Sequence, residues 1–292
     1  MNILTFDIEE WYIEKVHEGD RANRYYKFDK HLQAILDLLE ETNIKATFFC
    51  VGKLATMFPE VVMKISNKGH EIGCHSDVHT WLTLFNRKKL FEDTYAAISS
   101  LENLTGKKII SYRAPAFSIG ENNKWAFEIL AENKIERDAS VYPSNRDFGG
   151  FPDFPVDSPV IIKCGDYTLK EFPICMTHFM GRSMAYSGGG YFRLFPYWYI
   201  KREFDRNDYT ISYFHINDLM PNEDGMMSKE VFEKEYGISG NLLNRYLRYI
   251  KESLGTKTAF DKMCRFVREC DFISLEDADK CIDWSNVPKV RL

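Results

Sequence analysis

Residues 46–79 read ATFFCVGKLATMFPEVVMKISNKGHEIGCHSDVH, and the pattern changes twice within them. Ala46 to Val51 is an unbroken apolar run, closed by Gly52 and of the length of a buried strand. Pro59 then stands at a helix start, VVMKIS follows, and Gly69 stops it. His70 to Cys74 is a second short strand, and His75 comes directly after it. Strand, helix, strand without a long break is the unit of a parallel sheet.

The same alternation continues outward in both directions. Ile3 to Ile8 is apolar and β-rich, and Leu32, Ile35, Leu36 and Leu39 recur at helical spacing after it. Downstream, Phe91, Tyr95, Ile98 and Leu101 share one helical face and Gly106 stops that helix. Ile109 to Tyr112 reads as a fourth strand and 121–134 as a helix. The stretch 137–190 differs: it carries prolines 143, 152, 155, 159 and 173 and the run Gly188 to Gly190, which predict loops and hairpins. Alternation returns with a helix near 196–206, a strand at Tyr209–His215, helices near 240–253 and 257–269, and a last strand at Phe272–Leu275. The expected fold is α/β: a distorted (β/α) barrel of about seven parallel strands, preferred over a doubly wound sheet because polar residues follow the strand ends. The expectation is one domain over 1–292, with a loop-rich insertion at about 140–192.

The bulk properties narrow the function classes. With 292 residues the chain can bury a substantial core, and a net charge of −5 offers no electrostatic reason to expect nucleic acid or an anionic membrane as partner. No stretch approaches the roughly 18 apolar residues of a membrane span. The start, MNILTFDIEEW, passes straight into a strand pattern without the features of an export signal. Seven scattered cysteines without a CxxC pair indicate neither a disulfide framework nor a cysteine zinc site. Reduced thiols and a cytoplasmic location are the expectation.

Several residues with chemical potential follow strand ends. His75 and His79 are four apart, and on a helical turn they would point the same way and share one metal ion; in isolation they are equally a surface or capping pair. Asp7 and Glu9 close the first strand two residues apart, hence on one face, with Glu10 on the other as support or surface. Arg113 precedes Ala114 and Pro115, where it could hold a carboxylate ionised or simply lie at the surface. His215 ends the strand Thr-Ile-Ser-Tyr-Phe-His, a place that suits a core histidine as well as a catalytic one.

Taken together these residues resemble the motifs of the polysaccharide deacetylases, the family of the NodB homology domain. Thr5-Phe6-Asp7 is similar to the T-F-D-D strand end, His75, Ser76 and His79 to H-S/T-x-x-H, Arg113 and Pro115 to R-x-P, and Phe214-His215 to the late apolar-His motif. Gly69 to Gly73, Ala46 to Phe49 and Phe272 to Leu275 also resemble family segments. A subgroup linked to exopolysaccharide biosynthesis is closer still, with a D-x-E-D/E-W/Y opening, a segment like Asp138 to Pro143 and one like Gly189 to Pro196. The likeness runs from about residue 3 to 276.

The resemblance implies Zn²⁺ or another divalent transition metal held by Glu9, His75 and His79. Asp7 would be the general base, Arg113 would orient it, and His215 would be the general acid. The Ala116 N–H, stiffened by Pro115, would serve the oxyanion; Asp138 would orient a catalytic group, and Tyr191 would belong to a sugar-facing wall. The substrate implied is the N-acetyl group of an amino sugar in a surface polysaccharide or its nucleotide- or lipid-linked precursor, with peripheral membrane contact where the precursor is lipid-linked. Two departures stand out. Ile8 occupies the place of the second aspartate, a metal ligand in the family, and Ala116 replaces an aromatic residue. Another C–N hydrolase acting on a formamide or ureide, and a non-catalytic carbohydrate-binding protein, are the rival readings. The aromatic run Tyr191 to Tyr199 reads as helix core, a stacking wall or a membrane-facing patch.

Overall fold

In the computed structural model, residues 1–9, 21–146, 149–179, 182–221 and 225–292 are described. Glu10 and Trp11, part of the motif-like opening, lie outside them. The strands among the described residues are β1 (Asn2–Ile3), β2 (Thr5–Ile8), β3 (Thr47–Cys50), β4 (Glu71–Cys74), β5 (Ser111–Tyr112), β6 (Arg137–Asp138), β7 (Val160–Cys164), β8 (Tyr167–Glu171), β9 (Thr177–Phe179), β10 (Arg182–Met184), β11 (Thr210–Ile211), β12 (Phe214–His215), β13 (Phe272–Ile273) and β14 (Lys289–Arg291). The main sheet has the order β12-β2-β3-β4-β5-β6-β8-β7-β14, and β1 pairs with β11 on one side and β13 on the other. From β12 to β8 every pairing is parallel; β7 and β8 form an antiparallel hairpin. This is the expected α/β barrel-like fold with a mostly parallel sheet.

The strands hold because both faces are apolar and covered. Phe6 stacks on Phe48 at 4.9 Å and contacts Phe214 at 6.0 Å, so neighbouring strands interdigitate. Leu32, Ile35, Leu36 and Leu39 of the helix Arg21–Glu41 are all buried, as the helical spacing predicts. The helix Arg87–Thr105 starts on Asn86, whose side chain accepts from the Lys89 N–H, and ends on Gly106 in the left-handed conformation (φ 67°). Gly52 has a packing reason: a Cβ there would lie 2.5 Å from the Ala97 Cα.

The two ends of the sheet differ in chemistry. At the amino ends, Glu71 accepts from Ser111 Oγ (2.5 Å), Thr47 Oγ1 (2.5 Å) and Arg137 Nη2 (3.1 Å), while Asp279 binds Arg137 (3.2 Å) and Lys170 (2.6 Å). That closed network satisfies its own charges, as befits a stability face. The carboxyl ends instead deliver Asp7, Glu9, His75, Arg113, Asp138 and His215.

His70 makes one prediction about the scaffold. It is buried, its Nδ1 accepts from the Ala46 N–H (3.3 Å), and burial together with Lys45 and Lys68 lowers its pKa to about 4. Between pH about 6.5 and about 4 the unfolded chain binds a proton that the folded chain refuses. Stability should therefore fall as pH drops through that window, by at most about 3 kcal/mol from this group, and be insensitive to it above. Denaturant titrations at pH 7 and pH 4.5 should show a smaller pH loss in His70→Asn, whose amide oxygen can accept the same bond; an equal loss refutes the assignment.

Candidate metal centre

Strand alternation sets the two site carboxylates apart from the residue between them. Asp7 and Glu9 are buried on the same side, whereas Ile8 is fully buried within the apolar core. The position expected to carry a second aspartate thus faces the wrong way for a metal, and Glu9, one residue later, returns to the site face.

His75 follows β4, but the segment to His79 is not the helical turn inferred from the i, i+4 spacing. Ser76 (φ 67°) and His79 (φ 56°) both take left-handed backbone, and no regular element spans 75–80. The reason is where the hydrogen bonds go. Gly52 N–H donates to Ser76 O (2.9 Å), Lys53 N–H to Asp77 O (3.1 Å), and Asp77 N–H to Asp93 Oδ2 (3.0 Å). The loop is pinned to the start of the helix Gly52–Met57 instead of bonding to itself, and both imidazoles still converge.

Glu9 Oε2 lies 2.8 Å from His75 Nε2 and also contacts His79 Nε2; Glu9 Oε1 lies 3.1 Å from His215 Nε2. One ligand atom from each of Glu9, His75 and His79 falls within 4.8 Å of the others. His75 Nδ1 is 2.7 Å from the Arg113 carbonyl, which can only accept, so Nδ1 carries a proton and Nε2 is the nitrogen turned to the site. Burial would raise the Glu9 pKa, but the His79 and His215 charges and the imidazole hydrogen bonds hold it well below the usual range. The buried His79 Nε2, close as it is to the carboxylate, makes no well-formed hydrogen bond. One carboxylate oxygen and two imidazole nitrogens, His75 Nε2 and His79 Nε2, converging on one point are a donor set that fits a divalent transition metal.

Around this centre, Arg113 is fully buried and donates from Nη1 to Asp7 Oδ1 (2.9 Å) and Thr5 Oγ1 (2.7 Å), and from Nε to Ala139 O (3.2 Å). Its guanidinium lies 4.3 Å from the Phe49 ring centroid. Asp7 also acts on His75: burial pushes that imidazole down, and the Asp7 and Glu9 charges pull its pKa up. Pro115 opens a short turn in which Ala116 and Phe117 both have φ of 53°, redirecting the chain beside the site. Asp138 is buried and accepts from Ser140 Oγ (2.6 Å), and Ser140 Oγ in turn accepts from the Ala114 N–H (2.8 Å). Asp138 therefore braces the turn after Arg113. Tyr191 is half-buried and stacks on Phe195 at 5.9 Å. In the aromatic run Phe192 and Tyr199 are buried, but Leu194 and Trp198 are exposed. Gly188 has its own packing reason: a Cβ there would sit 2.2 Å from Tyr213 O.

Two site residues escaped the sequence reading. Asp218 Oδ2 accepts from His215 Nδ1 (2.9 Å) and from the His215 backbone N–H (3.1 Å). Arg193 Nη1 lies 3.5 Å from Asp218 Oδ1. Burial opposes a charge on His215, yet Glu9 and Asp218 raise its pKa well above the ordinary value. The His-x-x-Asp spacing, which places an acid at the third position of the turn Ile216–Leu219, was the available signal for Asp218; Arg193 lies within the family-like segment Gly189 to Pro196, but nothing local ties it to Asp218.

Residues 3–135 match the family model "Polysaccharide deacetylase", and residues 139–279 match "Domain of unknown function (DUF3473)". A peptidoglycan-N-acetylglucosamine deacetylase of Bacillus cereus is 39% identical over 95 residues, 32% of this chain and 34% of that protein. Chitin deacetylase 2 of Cryptococcus neoformans is 30% identical over 82 residues, 28% of this chain and 18% of that protein. The match thus spans about a third or less of these curated relatives. Among solved structures, one assigned to the polysaccharide deacetylases from Mycobacterium smegmatis superposes with a TM-score of 0.64 at 16% identity, covering 100% of this chain and 92% of that one. A CE4 family pseudoenzyme from Bacillus anthracis gives 0.51 at 12% identity, covering 100% and 69%. Residues 3–135 are thus similar to the polysaccharide deacetylase family, and a stretch similar to DUF3473 follows.

Proposed function

We propose that this chain is a metal-dependent N-deacetylase acting on an amino sugar in a surface polysaccharide or in its nucleotide- or lipid-linked precursor. The convergence of Glu9, His75 and His79 on one point, with His215 against the same carboxylate, carries the reading. The likeness of the segments Asp138 to Pro143 and Gly189 to Pro196 to the exopolysaccharide-linked subgroup favours a polymer-assembly precursor as substrate.

Glu9, His75 and His79 would hold the ion, which when bound supplies Lewis acidity toward the amide carbonyl and makes water more acidic. The protein's own groups divide the proton work. Arg113 Nη1 engages Asp7 Oδ1 and fixes the carboxylate, so that Asp7 Oδ2 can take a proton from the attacking water. The Ala116 N–H would donate to the developing oxyanion. His215 holds its transferable proton at Nε2, because Nδ1 is committed to Asp218, and would pass it to the departing amine nitrogen. The products are acetate and a free amino sugar.

Protein purified without chelators should contain about one transition-metal ion per chain and release acetate from N-acetylated amino-sugar precursors. Formate or ammonia as the product would move the reading to a formamide or ureide hydrolase. No metal after zinc is added back, with sugar binding intact, would refute catalysis.

A further inference from the structure

Asp138 and Glu171 stand in register on the neighbouring strands β6 and β8, so their side chains share one face of the sheet. Both are 0% exposed, at the end of the sheet that delivers the metal centre. One oxygen of each is committed: Asp138 Oδ1 accepts from Ser140 Oγ (2.6 Å), and Glu171 Oε1 from the Val141 N–H (3.0 Å). The two carboxyl groups also bond to each other. Yet Asp138 Oδ2 and Glu171 Oε2, both buried, meet no N–H or O–H among the described residues. Ionised carboxylates only accept, so a bond between two of them needs a proton.

We propose that Asp138 and Glu171 share one proton, and that Glu171 is a positioning residue which, through this pair, fastens the turn Ala114–Ala116. The contacts run in one chain. Asp138 holds Ser140 Oγ, which accepts from the Ala114 N–H (2.8 Å), and Ala114 leads into Pro115 and Ala116. Glu171 holds the next residue along, through the Val141 N–H. The same segment supplies Ala139 O, to which Arg113 Nε donates (3.2 Å). One pair thus braces both the guanidinium that fixes Asp7 and the turn that presents the Ala116 N–H.

Charge balance gives the reason for the proton. The charged and titratable groups facing the pair are Arg113 and Tyr112 from the β5 end and Tyr209 before β11. Burial keeps both tyrosines neutral by pushing their pKa values up, which leaves Arg113 as the one facing cation. Arg113 already pairs with Asp7, and it cannot also neutralise two further carboxylates. Burial pushes both carboxyls of the pair up, and the Asp138 charge lifts Glu171 well above the ordinary range. Glu171 belongs to the stretch similar to the domain of unknown function, and the turn to the deacetylase-like stretch, so the pair gives the former a task at the site. Only the effect on acetate release rests on the proposed deacetylase reading; the shared proton does not.

The test uses the full chain and the variants Glu171→Gln, Asp138→Asn and Glu171→Ala. The folded pair keeps a proton that unfolded carboxyls have released, so stability from this site falls as pH rises above the ordinary carboxylate range. In denaturant titrations the unfolding constant of wild type, relative to Glu171→Gln, should rise about tenfold from about pH 5.5 to about pH 6.5. Asp138→Asn should remove the same dependence. In infrared spectra at neutral pH, wild type should show a carboxylic C=O stretch that shifts in D₂O and is missing from both amide variants. Glu171→Ala should lower kcat for acetate release by about tenfold to a hundredfold with metal content kept, and Glu171→Gln, whose amide N–H stands in for the proton, should recover most of it. A flat stability ratio, or a carboxylic band that survives in both amide variants, would overturn the shared proton. Equal kcat in Glu171→Ala and wild type, or no recovery in Glu171→Gln, would overturn the positioning role. If wild type releases no acetate, the deacetylase reading fails, while the stability ratio and the infrared band still decide the pair.

Discussion

Replacing Glu9 by alanine should strip the metal from the protein and lower acetate release by roughly a thousandfold or more. Glu9 touches all three site imidazoles, through Oε2 to His75 and His79 and through Oε1 to His215. Without it two histidines remain, too few for a tight closed set. The control that makes the result specific is Ile8→Asp in the Glu9→Ala background. If the aspartate position of the family motif were what mattered, Ile8→Asp would rescue binding. Ile8 is fully buried in the apolar core, so a carboxylate there should instead destabilise the fold by several kcal/mol and restore nothing. Metal analysis and melting curves on the single and double variants decide the matter. Glu9→Ala with a full complement of metal, or rescue by Ile8→Asp, would show that the ligand set has been misassigned.

The substitution of Ile8 shows how far the sequence could be read and where it stopped. The fold was legible because apolar period and glycine or proline punctuation are local properties, and the strands and helices appear near the expected positions. Glu9 was legible for the same reason: strand alternation alone places it with Asp7. Conformation beyond that period was not. The spacing of His75 and His79 suits a helical turn, but Ser76 and Asp77 give their carbonyls to Gly52 and Lys53, partners more than twenty residues away in the chain. Arg193 belongs to the site only because its helix packs beside Gly255 and Asp218.

Arg113→Ala should lower stability by about 3–5 kcal/mol, because it leaves Asp7 buried without its counter-charge. In a chain of this size that corresponds to a fall in melting temperature of roughly 6–15 °C. The arginine is 0% exposed and Asp7 3% exposed, so solvent cannot replace what is lost. The side chain also supplies the bonds to Thr5 and Ala139 and the packing on Phe49. Arg113→Lys keeps the charge but cannot make the Nε bond or the planar stack, and should recover only part of the loss. Activity falls in the same variants, so Arg113 alone cannot separate holding the fold from orienting the base. Asp7→Leu/Arg113→Met can. Removing both charges together removes the uncompensated ion, and melting should return close to wild type, while acetate release stays about a hundredfold to ten-thousandfold low for want of a proton acceptor. Stability and activity recovering together in the double variant would mean that Asp7 does no proton transfer. Arg113→Ala melting within a degree or two of wild type would mean that the buried pair does not hold this end of the sheet.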